Sequence, residues 1–237
     1  MIVIKNLSKT FNGNKVISDF SLAIEENRIT ALVGPNGSGK TTLLKCILGL
    51  TFPDPNSSIE KDGIKISSIE EEVHKEIGYM PQTPNFPKNL KVTEILDIFK
   101  RIDSAPPDYM LELMGDLEIW KFENKLFGEL SGGMKQKINI LQCFGFRKKL
   151  YIADEPTSSL DPHMSYFLKS LLKKRKESGA SIIFTSHIMS EVQEIAEKVC
   201  LLVDGRLVLH ETPSNILSMN NASNLEEAMR MYWEKRK

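Results

Sequence analysis

A glycine-rich stretch at residues 34–41 carries the clearest chemical signal in the chain. Its sequence, GPNGSGKT, fits the pattern G-x-x-x-x-G-K-[ST] and follows an apolar run at residues 29–33. In such a turn, successive backbone N–H groups converge on phosphate oxygens, the following helix adds its positive end, and Lys40 adds a point charge. The Thr41 hydroxyl suits Mg²⁺. The pattern predicts a nucleoside triphosphate site, and the alternative is a chance glycine turn. The residues expected to contact the nucleotide here are Gly34, Pro35, Asn36, Gly37, Ser38, Gly39, Lys40, Thr41 and Thr42.

Two adjacent carboxylates, Asp154 and Glu155, end the apolar run that begins at Leu150. The carboxyl end of a parallel strand here would lie at the same edge of the sheet as the phosphate loop. Alternation along a strand directs the two side chains differently, so Asp154 could hold the Mg²⁺ shell while Glu155 polarises an attacking water. The alternative is a pair of solvated acids at a strand end.

The run LSGGMKQ at residues 130–136 predicts a second anion-binding helix start. Ser131 can cap a helix that begins at Gly132 or Gly133, and glycines leave the N–H donors unobstructed. Taken alone, S-G-G is also an ordinary helix start.

The elements that must position these residues alternate between strand and helix. Apolar runs with the length of buried strands lie at residues 29–33, 77–80, 150–155 and 181–186. Helices are expected between them at residues 42–50, 162–178 and 190–198. This alternation indicates a mostly parallel sheet. Strands at 2–4 and 16–24 predict a small antiparallel edge, and residues 199–209 predict a hairpin.

Between residues 83 and 147 the strand signal gives way to helical spacing, with helices expected at 92–102, 107–114 and 132–144. The predicted fold class is α/β: a P-loop NTPase core with a mostly parallel sheet, an N-terminal antiparallel β subdomain and an inserted α-helical subdomain. Residues 1–237 are expected to form a single domain. Within it we expect a core at residues 1–82 and 148–212, a helical subdomain at 83–147 and a helical tail at 213–237.

Composition argues against several classes of protein. Lys plus Arg and Asp plus Glu each number 31, so the formal net charge is zero and no global field favours nucleic acid or an anionic membrane. The 3 cysteines are scattered without C-x-x-C spacing, which favours reduced thiols over disulfides or a zinc site. No secretory signal is visible, and no window approaches the roughly 18 consecutive apolar residues of a membrane helix. A membrane role therefore needs a partner.

Together, the phosphate loop, the acidic pair and LSGGMKQ resemble the ATP-binding subunit of an ABC-type transporter, over nearly the whole chain. Gln82, at the end of a predicted strand, matches the Q-loop glutamine, and the segment of residues 158–161 (SSLD) matches the D-loop. His187 matches the switch histidine, although an isolated histidine there would more often be a buried structural residue. Phe11 aligns with the adenine-stacking aromatic residue, which is usually tyrosine, and the alternative for Phe11 is a core position at a strand end.

The resemblance implies that two such domains clamp head to tail around ATP and Mg²⁺. It assigns Glu155 as the base, His187 to the γ-phosphate and Lys40 to catalysis. The implied metal-binding residues are Thr41, Gln82 and Asp154, and Asp161 belongs to the D-loop. The residues implied to face the nucleotide of the other subunit are Ser131, Gly132, Gly133 and Gln136.

The resemblance also implies separate transmembrane permease subunits that dock on the Q-loop and the helical lobe. Their coupling helix would dock at residues 83–90, where an exposed Phe86 would suit the groove, and the alternative is an ordinary proline-rich surface loop. The protein would then lie at the cytoplasmic face of the membrane, held there by its partner. The second ATP-binding subunit could be another copy or a different chain, and no nucleic acid partner is expected. The pattern is similar to the exporter-like branch, and residues 77–87 resemble the copper-processing type that serves nitrous oxide reductase maturation. A soluble ABC-type ATPase, or a nucleotide-dependent clamp without transport, is the alternative, and the cargo does not follow from these residues.

Overall fold

The computed structural model describes residues 1–66, 74–102, 107–158 and 160–234. Its strands are β1 (Ile2–Phe11), β2 (Asn14–Ile24), β3 (Ile29–Val33), β4 (Ser58–Lys61), β5 (Ile64–Lys65), β6 (Ile77–Met80), β7 (Leu150–Ala153), β8 (Ser181–Thr185), β9 (Lys198–Val203) and β10 (Arg206–Glu211). Its helices are α1 (Lys40–Ile47), α2 (Val92–Ile102), α3 (Pro107–Asp116), α4 (Gly132–Phe144), α5 (Pro162–Glu177), α6 (Met189–Ile195), α7 (Pro213–Asn220) and α8 (Leu225–Glu234). Short 3₁₀ turns occur at Ile119–Lys121 and Phe127–Glu129.

The central sheet has six strands in the order β10-β9-β3-β8-β7-β6. All neighbouring pairs are parallel except β9 with β10, which form the predicted hairpin. Every residue of β3 and β7 is buried, as expected for strands covered on both faces. The mostly parallel sheet confirms the predicted α/β class. Its parallel strands bring their carboxyl ends to one edge, where the phosphate loop and the acidic pair meet.

A second, antiparallel sheet has the order β2-β1-β4-β5. Its first hairpin turns at Asn12 and Gly13, whose φ angles of 47° and 83° suit the turn that matches strand twist. The prediction of a strand at residues 2–4 was too short, because β1 continues to Phe11. Polar residues interrupt the apolar signal after Ile4, while cross-strand pairing to β2 carries the extended backbone onward.

The helical lobe is built from α2, α3 and α4. Phe86 packs edge-to-face on Phe99 and Phe127, with ring centroids 5.8 and 5.3 Å apart. The expectation of an exposed Phe86 is therefore wrong, since its ring is partly buried against the core of this lobe. None of the helices in the described part of the chain has the length and apolarity needed to span a bilayer.

The C-terminal tail contains two helices, of which the sequence predicted only α8. Helix α7 begins at Pro213, with the Thr212 hydroxyl accepting a hydrogen bond from the Asn215 backbone N–H at 3.2 Å. In α8, Leu225, Ala228 and Met229 are fully inaccessible, and Tyr232 is partly buried against the same core. The helix predicted at 190–198 ends at Ile195, because Lys198 already belongs to β9.

Candidate functional site

The phosphate loop joins β3 to α1 in a conformation that only glycine can adopt at two positions. Gly34 has φ of 154°, and an added Cβ would lie 2.0 Å from the Leu202 carbonyl oxygen. Gly39, which precedes α1, has φ of 102°, and its Cβ would lie 3.0 Å from the Val16 carbonyl oxygen. The glycines let the loop approach neighbouring backbone closely.

Lys40 folds back over this loop. Its ammonium group donates hydrogen bonds to the carbonyl oxygens of Gly34 at 2.8 Å and Pro35 at 3.0 Å, and the residue is only 7% exposed. Burial lowers the pKa of Lys40, and the nearby carboxylates of Glu155 and Asp154 oppose that shift. A positive charge is therefore held against the loop in which phosphate is expected.

Asp154 lies directly beside Thr41, as the metal-site prediction requires. The Thr41 hydroxyl donates to Asp154 Oδ2 at 2.8 Å, and the Thr185 hydroxyl donates to Asp154 Oδ1 at 2.6 Å. The aspartate is 2% exposed, so both of its oxygens are held in fixed positions. A hydroxyl and a carboxylate at this spacing form an oxygen donor set of the kind that Mg²⁺ prefers.

Glu155 follows in a left-handed backbone conformation, with φ of 46°. Its N–H donates to the Thr185 hydroxyl oxygen at 2.7 Å, which anchors this unusual backbone. Its Oε2 accepts a hydrogen bond from Gln82 Nε2 at 3.1 Å and lies 3.4 Å from His187 Nδ1. Three side chains from the ends of three strands thus converge at one point.

Most of these groups line one open cleft of about 810 Å³, although the buried Asp154 and Thr185 are not part of its lining. The lining residues are Val16, Gly34, Pro35, Asn36, Gly37, Gly39, Lys40, Thr41, Thr42, Gln82, Glu155, His187 and Met189. None of the described residues of the signature run 130–136 is among them. Ser38, within the loop, has a buried hydroxyl with no hydrogen-bond partner among the described residues.

Phe11 is also absent from this lining, although it is 43% exposed. Its ring lies 4.8 Å from the Lys9 ammonium nitrogen, at the outer end of β1. The alternative of a buried core position for Phe11 is therefore wrong, while its stacking role stays a prediction.

The signature residues lie on an exposed helix start. Ser131 caps α4 by accepting a hydrogen bond from the Met134 N–H at 3.3 Å. Gly132 and Gly133 are exposed, and a Cβ added to either would meet nothing within 4 Å. Gln136 lies elsewhere: it is 4% exposed and donates to the Pro156 carbonyl oxygen at 3.4 Å.

Asp161 of the D-loop segment caps α5, where its Oδ1 accepts from the Met164 N–H at 2.9 Å. Ser159 of the same segment lies outside the described residues. Nearby, Glu191 accepts hydrogen bonds from Thr157 at 2.6 Å and Ser165 at 3.0 Å, which ties the segment to α5 and α6.

Thr185 is one site residue that sequence reasoning missed. A threonine that ends an apolar strand is an ordinary feature, and only the register of β7 with β8 places it beside both acids. Val16 and Met189 were missed for a related reason, since each enters the cleft from an element distant in sequence from the phosphate loop.

Replacing Thr185 should impair both the site and the fold. Thr185→Val removes the donor to Asp154 and the acceptor for the Glu155 N–H. We expect kcat for ATP to fall roughly 10-fold to 100-fold, as when partners of metal ligands are lost. Denaturant unfolding should show a loss of about 1–3 kcal/mol for the unpaired buried groups. Thr185→Ser, which keeps the hydroxyl, should retain most of the activity; equal impairment by both variants would contradict this role.

Comparison with known proteins agrees with the geometry. Residues 17–158 match the family described as ABC transporter. The Nod factor export ATP-binding protein I of Burkholderia lata is 31% identical over 217 residues, covering 90% of this chain and 71% of that protein. The lipopolysaccharide export system ATP-binding protein LptB of Escherichia coli K12 is 29% identical over 219 residues, covering 90% of this chain and 91% of that protein.

Solved structures give the same result. A structure of the ATP-binding subunit of an ABC transporter has a TM-score of 0.89 and 26% identity, with 100% of both chains covered. A dimeric ATP-binding cassette in a post-hydrolysis state, bound to ADP and Pi, has a TM-score of 0.79 and 26% identity, covering 90% of this chain and 98% of the other.

The sheet, the loop and the acidic pair define a P-loop nucleotide hydrolase. More particularly, the chain belongs to the ABC transporter family, as an ATP-binding subunit with ATPase activity. The similarity to export ATPases agrees with the expected exporter-like branch. The relatives give no support to the copper-processing resemblance of residues 77–87.

Proposed function

We propose that this chain binds ATP with Mg²⁺ in the cleft and hydrolyses it at a seam with a second ATP-binding subunit, driving export through separate membrane subunits. One observation carries the proposal. The cleft gathers the phosphate loop, Gln82, Glu155 and His187, whereas the capped, open helix start at Ser131 is not part of it. Each chain therefore offers two separate anion-binding surfaces, and a head-to-tail pair would bring them together on either side of one ATP.

In the cleft, the loop N–H groups and Lys40 bind the triphosphate, and Phe11 stacks on the adenine. Glu155 orients the attacking water and accepts its proton as the water oxygen bonds to the γ-phosphorus and the bond to the leaving ADP oxygen breaks. His187 contacts the γ-phosphate, and Gln82 holds the Glu155 carboxylate in place. Catalysis is then positioning and charge neutralisation.

The donor set fits magnesium. Thr41 and Asp154 would hold the ion, with Gln82 approaching it, and the ion would neutralise phosphate charge. The 2.8 Å hydrogen bond between Thr41 and Asp154 places the two donors together before any ligand binds.

In the proposed dimer, Ser131, Gly132 and Gly133 of one subunit face the γ-phosphate of ATP on the other. Because a Cβ at either glycine would meet nothing in its own chain, the space beside them is open to a partner. Asp161 adjoins the same seam from the D-loop. The second subunit can be another copy of this chain or a different ATPase.

Coupling to the membrane is proposed to run through the loop after Gln82 and the helical lobe, residues 83–147. Residues 1–82 and 148–212 form the nucleotide-binding core in this division, and residues 213–237 form the tail. The similarity to ATPases named for Nod factor export and lipopolysaccharide export supports an export role and a peripheral position at the cytoplasmic face of the membrane.

Removing the loop lysine tests the nucleotide site. Lys40→Ala should weaken ATP binding roughly 10-fold to 100-fold, since a charge-assisted hydrogen bond contributes about 1.5–3 kcal/mol. Isothermal titration with ATP and Mg²⁺ measures the effect. The matched control is Lys45→Ala, which removes an exposed lysine from the last turn of the same helix. Parental ATP affinity in Lys40→Ala would contradict the assignment of the cleft.

A further inference from the structure

A polar bridge links α4 to the two loops that carry Gln82 and Glu155. Its members are Gln136 and Asn139, which are 4% and 0% exposed. Asn139 Nδ2 donates to the Pro81 carbonyl oxygen at 2.7 Å and to Gln136 Oε1 at 3.4 Å. Gln136 Nε2 in turn donates to the Pro156 carbonyl oxygen at 3.4 Å. The bridge thus contacts the residue just before Gln82 and the residue just after Glu155.

These contacts close into a ring. Strands β6 and β7 run parallel with Met80 opposite Ala153, so their exits lie side by side. Beyond the exits, Gln82 Nε2 donates to Glu155 Oε2 at 3.1 Å. The peptide bonds from Pro81 to Gln82 and from Glu155 to Pro156 complete the circuit. The ring therefore offers a route by which a displacement of α4 reaches the contact between Gln82 and Glu155.

The other end of α4 is seated firmly on the sheet. A Cβ at Gly78 in β6 would lie 2.6 Å from the Cys143 carbonyl oxygen and 2.8 Å from Tyr151 Cδ1. Helix and strand backbones are therefore in direct contact near Cys143, while the opposite end of the helix carries the open start at Ser131. Asn139 lies between these two ends.

Stability alone does not explain an amide at position 139. The Asn139 Oδ1 atom is buried without a hydrogen-bond partner in the described structure, which is unfavourable. An apolar side chain would avoid that cost but would leave the Pro81 carbonyl without this donor. The bridge ends on the backbone carbonyls of Pro81 and Pro156. Proline has no N–H, so the carbonyl is the one backbone polar group that each of these residues offers.

We propose that Asn139 and Gln136 are positioning residues that couple engagement of Ser131, at the start of α4, to the placement of Gln82 and Glu155. The inference rests on the proposed roles of those two side chains. When the partner's ATP binds at the start of α4, the helix pivots about its seated end near Cys143, and the bridge adjusts the catalytic carboxylate.

Asn139→Leu tests the bridge, because leucine keeps the number and branching of the side-chain heavy atoms and removes the donor. We expect kcat for ATP hydrolysis to fall roughly 10-fold or more through misplacement of Glu155. The affinity of the isolated cleft for ATP should stay within about twofold, since the phosphate loop is untouched, although the thermal midpoint should fall because the Pro81 carbonyl loses its donor. The matched control is Gln142→Ala, which removes an amide from the same helix that takes no part in the bridge.

The proposal is overturned if kcat is unchanged, or if kcat and ATP affinity fall together as for a purely structural residue. Should Asn139→Leu fail to fold, Gln136→Leu is subject to the same expectations and the same criteria. Failure of the proposed function gives a different result. If Glu155→Gln hydrolyses ATP at the parental rate, Glu155 is not the catalytic base. If Glu155→Gln is inactive while Asn139→Leu hydrolyses ATP at the parental rate, only the proposed positioning role of the bridge is wrong.

Discussion

Glu155→Gln is expected to reduce ATP hydrolysis by about 10²-fold to 10⁴-fold, the contribution of a positioned general base. The amide keeps the shape of the side chain but cannot accept the proton of the attacking water. The cleft should still bind ATP, because the phosphate loop and the contact between Thr41 and Asp154 are unchanged. Phosphate release at saturating ATP measures the loss, and titration with ATP checks that binding persists.

The matched control is Glu177→Gln, which removes an exposed carboxylate at the end of α5. It should hydrolyse ATP at the parental rate. Parental phosphate release from Glu155→Gln would defeat the assignment of the base.

Gly133→Asp should abolish hydrolysis by a different route, through the partner's site. A side chain at Gly133 meets nothing within 4 Å in its own chain, so the variant should fold and bind ATP in its own cleft. Across the seam, the added carboxylate would face the γ-phosphate. Like charges about 4 Å apart cost about 4 kcal/mol at an effective dielectric constant of about 20. We expect hydrolysis to fall roughly 100-fold or more.

Gly115→Asp provides the control for this substitution. Gly115 also lies in a helix of the same lobe, is exposed, and has nothing within 4 Å of an added Cβ. Its aspartate should leave hydrolysis unchanged. If Gly133→Asp and Gly115→Asp hydrolyse ATP at the same rate, the signature run 130–136 does not contact the partner's ATP.

Much of the fold was predictable because its signals are local. The continuous apolar run of β3, the glycines after it and the apolar face of α1 all lie within one short stretch of sequence. The helix at Val92–Ile102 was predicted with its observed limits for the same reason. In contrast, β1 beyond Ile4 depends on pairing with β2, which residue types alone do not reveal.

The site was predictable in its residue types but not in its supporting contacts. Lys40, Asp154 and Glu155 were identified from motifs, whereas Thr185 needed the register of two parallel strands to bring it beside both acids. The bridge of Gln136 and Asn139 depends on the docking of the helical lobe against β6, a contact between segments far apart in sequence. Such partners carry no spacing pattern and emerge only when the elements pack together.

The most direct test of the shared ATP site is the mass of the Glu155→Gln protein with and without ATP, measured by sedimentation. This variant should be monomeric alone and dimeric with ATP and Mg²⁺, because bound nucleotide that is not hydrolysed holds the seam closed. Adding Gly133→Asp should leave ATP affinity unchanged and keep the protein monomeric, while adding Gly115→Asp should leave the dimer intact. An ATP-dependent dimer of the Glu155→Gln, Gly133→Asp double variant, as tight as that of Glu155→Gln alone, would contradict the account.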